Sequence, residues 1–217
     1  MIRFRDVSFT YGSQEIFSNL SFHLERDSFL TISGPAKAGK TTMVQLITGM
    51  ILPDEGEILI DGMSTVEAVA SGSKLRQLRR KIGGAGGIYS LLGDRTILEN
   101  IALSAEIGGL PAPAARKTAF EVCQKYRLNH VATNFPDMVS EVERRAAQIA
   151  RAETARKGLI VADSPADGLD TKSARFINER LAAVHLAGVA ILYLTSGPGP
   201  QSGPDSVLEL RNGTVVS

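Results

Sequence analysis

The chain has 217 residues, 43% of them hydrophobic, which suits one domain with a substantial core and room for an inserted lobe. A formal net charge of +1 and the absence of any long Lys/Arg block exclude the electrostatic footprint of a nucleic-acid binder. Cys123 stands alone, so no internal disulfide can form and a reducing compartment is expected; no apolar run nears the ~20 residues that span a bilayer, and the opening MIRFRDVSFTYG lacks the apolar core of a signal peptide. A membrane role therefore has to come through a partner.

Residues 2–9 (IRFRDVSF) alternate like a half-buried strand, and a second strand is predicted around Phe17 to Leu24. Ser28 to Ser33 (SFLTIS) reads as a short buried strand. It leads into GPAKAGKT, Gly34 to Thr41, which fits G-x-x-x-x-G-K-[ST], the P-loop pattern, and Thr41 to Gly49 reads as the start of a helix. Such a loop aims backbone N–H groups and a helix N-terminus at an anion. Gly34, Pro35, Ala36, Lys37, Ala38, Gly39, Lys40, Thr41 and Thr42 are the predicted phosphate cradle. Lys40 would reach the β- and γ-phosphates and the Thr41 hydroxyl would ligate Mg²⁺. Ala36 and Lys37 occupy positions where such loops often carry Gly and Ser, and Lys37 either attracts phosphate or strains the loop.

Further along, Glu57 to Ile60 reads as a strand, residues 64–81 as a helix turning basic toward its end, and Gly83 to Gly87 (GGAGG) as a stretch with almost no side chain to pack. Helices are predicted at 97–107, 114–127, 141–157 and 171–187. Leu159 to Ala162 and Val189 to Leu194 are short apolar runs suited to buried parallel strands, and Val207–Leu210 pairs with Thr214–Val216 across the hairpin signal Asn212-Gly213. Buried strands alternating with helices predict an α/β fold with a parallel central sheet. The strandless middle, about 88–157, is read as an inserted helical lobe; the core lobe is then 1–87 and 158–217. A P-loop needs an acidic partner on another strand. Asp163, at the end of LIVAD, supplies one where α/β folds place ligands, although Ser164-Pro165 would also suit a turn cap there.

At this point the chain resembles an ABC-type ATPase domain, closest to the FtsE/LolD/MacB group. The resemblance runs nearly end to end. It is carried by IRFRDVSFTYG, GPAKAGKTT, SLLGDRTILENIAL (90–103), FPDMVSEVERRAAQIARA (135–152) and LIVADSPADGLD (159–170). It implies a P-loop core with an N-terminal antiparallel β subdomain, a helical lobe, ATP and Mg²⁺ as cofactors, and head-to-tail homo- or heterodimers. ATP would then lie between one subunit's P-loop and the other's signature helix. It further implies that Tyr11 stacks on adenine and that Asp170 is the D-loop acid. The family's location is cytoplasmic, on the inner face of the plasma membrane, with an FtsX/MacB-like integral membrane partner docked near residues 83–103 and no nucleic acid.

Four positions depart from the family pattern. The catalytic Glu after Asp163 is replaced by Ser164, the switch His by Ser196 and the Q-loop Gln by Gly87, and the signature LSGGE reads Val139-Ser140-Glu141-Val142-Glu143. A Ser has no carboxylate to polarise water, and general-base help is worth roughly 10²–10⁴ in rate. Glu141 brings charge toward phosphate, or else Glu141 and Glu143 stabilise their own helix N-terminus. Together these changes predict a chain that binds Mg-ATP but hydrolyses it poorly or not at all, a nucleotide-gated clamp or regulatory subunit. The alternatives are a working ATPase in which Asp167, Asp170 or Glu143 orients water, and a soluble nucleotide-dependent interaction module.

Overall fold

The computed structural model describes residues 1–155 and 158–216. The chain opens with a hairpin of β1 (Ile2–Tyr11) and β2 (Gln14–Leu24), whose burial alternates as expected for a sheet with one wet face. Next come β3 (Phe29–Ser33), the P-loop and α1 (Lys40–Ile47). Then β4 (Glu55–Ile60) and β5 (Met63–Ser64) lead to α2 (Thr65–Ala70), α3 (Gly72–Arg80) and β6 (Ile82–Gly86). Three helices follow, α4 (Ile97–Ile107), α5 (Ala112–Lys125) and α6 (Glu141–Thr154), before β7 (Leu159–Asp163). The chain continues through α7 (Thr171–His185) and β8 (Ala190–Thr195) and ends with the hairpin β9 (Ser206–Arg211) and β10 (Thr214–Val216).

The strands form two sheets. One is antiparallel in the order β2-β1-β4-β5; the other runs β10-β9-β3-β8-β7-β6 and is parallel except for its terminal hairpin. The continuous apolar runs in β7 and β8 are explained by layers on both faces of the central sheet. Ile160, Ala162, Ile191 and Tyr193 join one core cluster with α4–α7. Leu159, Val161, Ala190, Leu192 and Leu194 join the other, with α1 and the antiparallel sheet. The register aligns Ser33 with Thr195 and Asp163 with Leu194, so the carboxyl ends of β3, β8 and β7 meet along one edge, where a ligand crevice forms.

Two elements differ from the sequence reading. The expected helix over 64–81 is two helices, because Ser71 is extended (φ −127°, ψ 107°) ahead of Gly72, and both residues are weak helix formers. Ile82–Gly86, which includes most of GGAGG, is the edge strand β6. A strand needs only its backbone to pair, and here bareness is useful: a Cβ on Gly83 would meet the Ala152 carbonyl at 3.1 Å, and one on Gly84 would stand 2.1 Å from the Tyr89 ring. The predicted helix end at 157 falls beyond Thr154, with 156 and 157 outside the described residues, as is 217. Among the described residues no helix is long and apolar enough to cross a membrane.

Candidate nucleotide site

The P-loop closes onto α1 through Gly39, whose φ of 101° only glycine adopts readily; a Cβ there would also meet Ile16 at 2.8 Å and the Phe17 ring at 2.9 Å. Gly39 caps the helix without a side chain, and no acidic residue sits in the first turn. The first amide donors, which no helix satisfies internally, are therefore available to an anion. Lys40 is buried, and its ammonium donates to the carbonyls of Gly34 and Pro35, both at 2.7 Å. Burial lowers its pKa, while the carboxylates of Asp167 and Asp163 act in the opposite sense. Lys37 is exposed with φ 67°, so strain, about 1 kcal/mol for a non-glycine in this region, is a real component of its effect. Pro35 and Ala36 are exposed beside it, Ala38 is half-buried and Thr42 is buried behind the loop.

Tyr11, at the end of β1, is 47% exposed; its hydroxyl donates to Gln45 Oε1 of α1 at 2.9 Å, and Phe9 meets it edge-on at 4.8 Å. The ring is thus fixed in orientation beside the P-loop helix. Gln45 carried no signal of this role in the sequence.

Asp163 is 3% exposed, and its Oδ2 accepts from the Thr41 hydroxyl at 3.1 Å. Burial raises its pKa above the usual carboxylate range, against the pull of Thr41 and Lys40. A hydroxyl and a carboxylate side by side are hard oxygen donors of the kind Mg²⁺ takes together with phosphate oxygens. Among the described residues no group of three or more His, Cys, Asp or Glu could hold a metal unaided, so a cation here would depend on the nucleotide's own oxygens.

Around this pair lie the departures. Ser164 has φ 54°, and its N–H donates to Leu194 O at 2.8 Å. Ser196 N–H and the Thr195 hydroxyl both donate to Asp167, at 2.8 and 2.6 Å, so each oxygen of that carboxylate already ties β8 to the loop after β7. Asp167, one of the candidates to orient water, is therefore already engaged. Gly87 (φ 47°) sits against Asp163: a Cβ there would fall 2.1 Å from Oδ2. The turn it belongs to is held by Gln148, which accepts from Gly86 N–H at 3.0 Å, and by the Arg151 guanidinium, which donates to Tyr89 O and Ser90 O at 2.6 and 2.7 Å. Gln148 and Arg151 act across about sixty residues of sequence, a pairing with no local signature.

The signature segment starts α6 with a capping box. Ser140 Oγ accepts from Glu143 N–H at 3.4 Å and donates to Glu143 Oε2 at 2.5 Å, and the same Oε2 accepts from Ser140 N–H at 2.8 Å. The Ser140 bond is the largest cause holding the Glu143 carboxyl low, with His130 Nε2 2.7 Å from Oε1. Glu141 is paired with Arg144 (3.0 Å) and Arg145 (2.7 Å), so its charge is offset within its own helix. Asp170 caps α7, accepting from Lys172 and Ser173 N–H at 3.0 and 3.1 Å. The structure thus gathers Lys40, Thr41, Asp163 and Gly87 at one edge of the sheet. Val142, Glu143 and Asp170 line a different cavity, of about 360 Å³.

Strand, glycine-capped loop, helix and buried acid on a neighbouring strand define a P-loop nucleotide-binding α/β protein. A sequence profile described as ABC transporter matches residues 17–167, and the chain belongs to that family. It is 30% identical over 199 residues to the methionine import ATP-binding protein MetN of Carboxydothermus hydrogenoformans, covering 90% of this chain and 58% of the relative. It is 27% identical over 217 residues to the lipoprotein-releasing system ATP-binding protein LolD of Bacteroides thetaiotaomicron, covering 99% of each. Among solved structures, an ATP-binding cassette dimer in a post-hydrolysis state bound to ADP and Pi superposes with a TM-score of 0.87 at 25% identity, over 99% of this chain and 96% of that one.

Proposed function

We propose that this chain is the ATP-binding subunit of an FtsE/LolD/MacB-like membrane complex, one that holds Mg-ATP and releases phosphate slowly or not at all. The observation that carries this reading is Ser164: the residue beyond Asp163 has no carboxylate, and the adjacent Asp167 is committed to Thr195 and Ser196. In this reading the α1 N-terminus and Lys40 hold the phosphates, Tyr11 carries the base, and Thr41 with Asp163 faces the metal. Bound Mg²⁺ would neutralise phosphate charge. A water near Asp163 then finds no second, uncommitted carboxylate to take its proton, since Asp163 itself faces the metal in this reading. Ser140, turned into its own capping box, is a poor donor to a partner's nucleotide, so both sites of a dimer are weakened. Nucleotide would then set the closed state of a clamp rather than drive a cycle.

Homodimers or heterodimers are supported by the dimeric relative, and a place on the inner face of the plasma membrane by the transport systems named among the relatives. We assign the membrane partner, FtsX/MacB-like, to a cleft of about 450 Å³ between α3 and α4, lined by Arg76, Arg80, Leu92, Leu103, Ile107 and Arg151. The corresponding division is a core of about 1–87 and 158–217 and a helical lobe of about 88–157. The test is a titration with a fluorescent ATP analogue alongside steady-state phosphate release, in wild type and Lys40→Ala. Lys40-dependent binding with background release is expected. Turnover of several per second that disappears in Lys40→Ala would overturn the reading.

A further inference from the structure

The Gly86-Gly87 turn is more than a missing glutamine. β6 pairs with β7 so that Gly86 lies opposite Asp163, and φ is 76° at Gly86 and 47° at Gly87. A Cβ on Gly86 would stand 2.0 Å from the Asp163 carbonyl oxygen; one on Gly87 would stand 2.1 Å from Oδ2 and 2.7 Å from Cγ. The obstacles are the backbone and a carboxylate that is 3% exposed, not the loose end of a long side chain. The carboxylate has little room to yield, because the same Oδ2 already accepts from Thr41 at 3.1 Å. The turn cannot easily retreat either. Gln148, itself 6% exposed, holds Gly86 N–H; Tyr89 N–H closes the turn on Gly86 O at 2.8 Å; Arg151 pins the carbonyls that follow.

We infer that the Gly86-Gly87 backbone, held from α6 by Gln148, positions the Asp163 carboxylate toward Thr41. Gly87 and Gln148 are then positioning residues, and the site has been rebuilt around a bare backbone. Restoring the family's Gln at 87 would push Oδ2 off Thr41 and weaken the metal-dependent part of nucleotide binding; it would not revive hydrolysis. This inference rests on the reading that Thr41 and Asp163 face a Mg-nucleotide.

The experiment titrates a fluorescent ATP analogue with and without Mg²⁺ into wild type, Gly87→Gln, Gln148→Ala and Gly62→Ala. Gly62 has φ 79° and nothing within 4 Å of an added Cβ, so its variant carries the cost of positive φ without touching Asp163. The gain in affinity on adding Mg²⁺ should fall about tenfold in Gly87→Gln and about threefold in Gln148→Ala, the scale of one weakened contact to a charged group. Metal-free affinity should stay within about twofold in both, and Gly62→Ala should keep the full gain. A purely structural role would lower both affinities together and overturn the inference. So would Gly87→Gln with an undiminished gain or with new phosphate release. If Gly87→Gln does not fold, Gln148→Ala decides alone, since it alters no backbone angle. Wild type that binds neither form would instead overturn the nucleotide reading beneath it.

Discussion

Removing the Glu143 side chain tests whether the signature serine is committed to its own helix. Glu143→Ala keeps the Ser140 Oγ cap on the backbone N–H of residue 143 but removes the reciprocal half of the capping box, the carboxylate bonds to Ser140 N–H and Oγ, worth about 0.5–1.5 kcal/mol. It also removes the His130 contact at 2.7 Å, whose imidazole is 67% exposed and which adds at most about 1 kcal/mol. A loss of about 1–2 kcal/mol is expected, or about 2–8 °C in Tm for a chain of this size. Because Ser140 and Glu143 act as one unit, Ser140→Ala and Glu143→Ala should couple by about 0.5–1.5 kcal/mol in a double-mutant cycle read by urea unfolding. The difference should also depend on pH. The Ser140 hydroxyl bond holds the folded-state carboxyl below its ordinary value of 4.5, so the stabilisation is complete above that pH and is lost as pH falls through the lowered folded value. Additive effects, or a Glu143→Ala protein as stable as wild type, would mean that Ser140 is free to serve a nucleotide and that the blocked signature is wrongly reasoned.

Other variants probe the rest of the site. Ser164→Glu restores a carboxylate at a position with φ 54°, but leaves Ser140 and Ser196 unrepaired. Phosphate release should rise less than about tenfold, far short of the 10²–10⁴ a working base supplies; a hundredfold rise would contradict this. Lys40→Ala should lower ATP-analogue affinity roughly 10–100-fold, as expected for a lost bond from a charged donor, and unchanged affinity would remove Lys40 from the site. Asp61, whose carboxyl the Lys81 ammonium holds low at 2.6 Å, anchors α3 to the β4–β5 turn. Asp61→Asn should cost about 1–2 kcal/mol at pH 7 by urea unfolding; the cost should be complete above the ordinary value of 3.8 and fade as pH falls through the lowered folded value of the wild-type carboxyl, and a pH-independent loss would point to packing instead.

Local signals made much of this site readable. The P-loop, Asp163 and the Asn212-Gly213 turn each depend on residues close in sequence whose backbone demands are strict, and each lies where the spacing placed it. The Ser140-x-x-Glu143 capping box is equally local, a serine followed three residues later by a glutamate. β6 was hidden because its glycines offer no β-branched or aromatic side chains, and strand preference is mostly a matter of side-chain packing. The break at Ser71 depended on a single extended residue within a basic, helix-prone stretch. Gln45, Gln148 and Arg151 could not be found from sequence, since their roles arise only when distant strands and helices meet. Asp167 looked available as a base for the same reason: its partners Thr195 and Ser196 sit on the neighbouring strand, β8, and the loop after it.

The central claim is that nucleotide is held and not cleaved. The most direct measurement is a single-turnover assay with γ-labelled ATP and Mg²⁺, protein in excess over nucleotide. Retained and intact ATP over many minutes is the predicted result. Lys40-dependent release of labelled phosphate would contradict it, and would require a catalytic group in place of the carboxylate that Ser164 lacks.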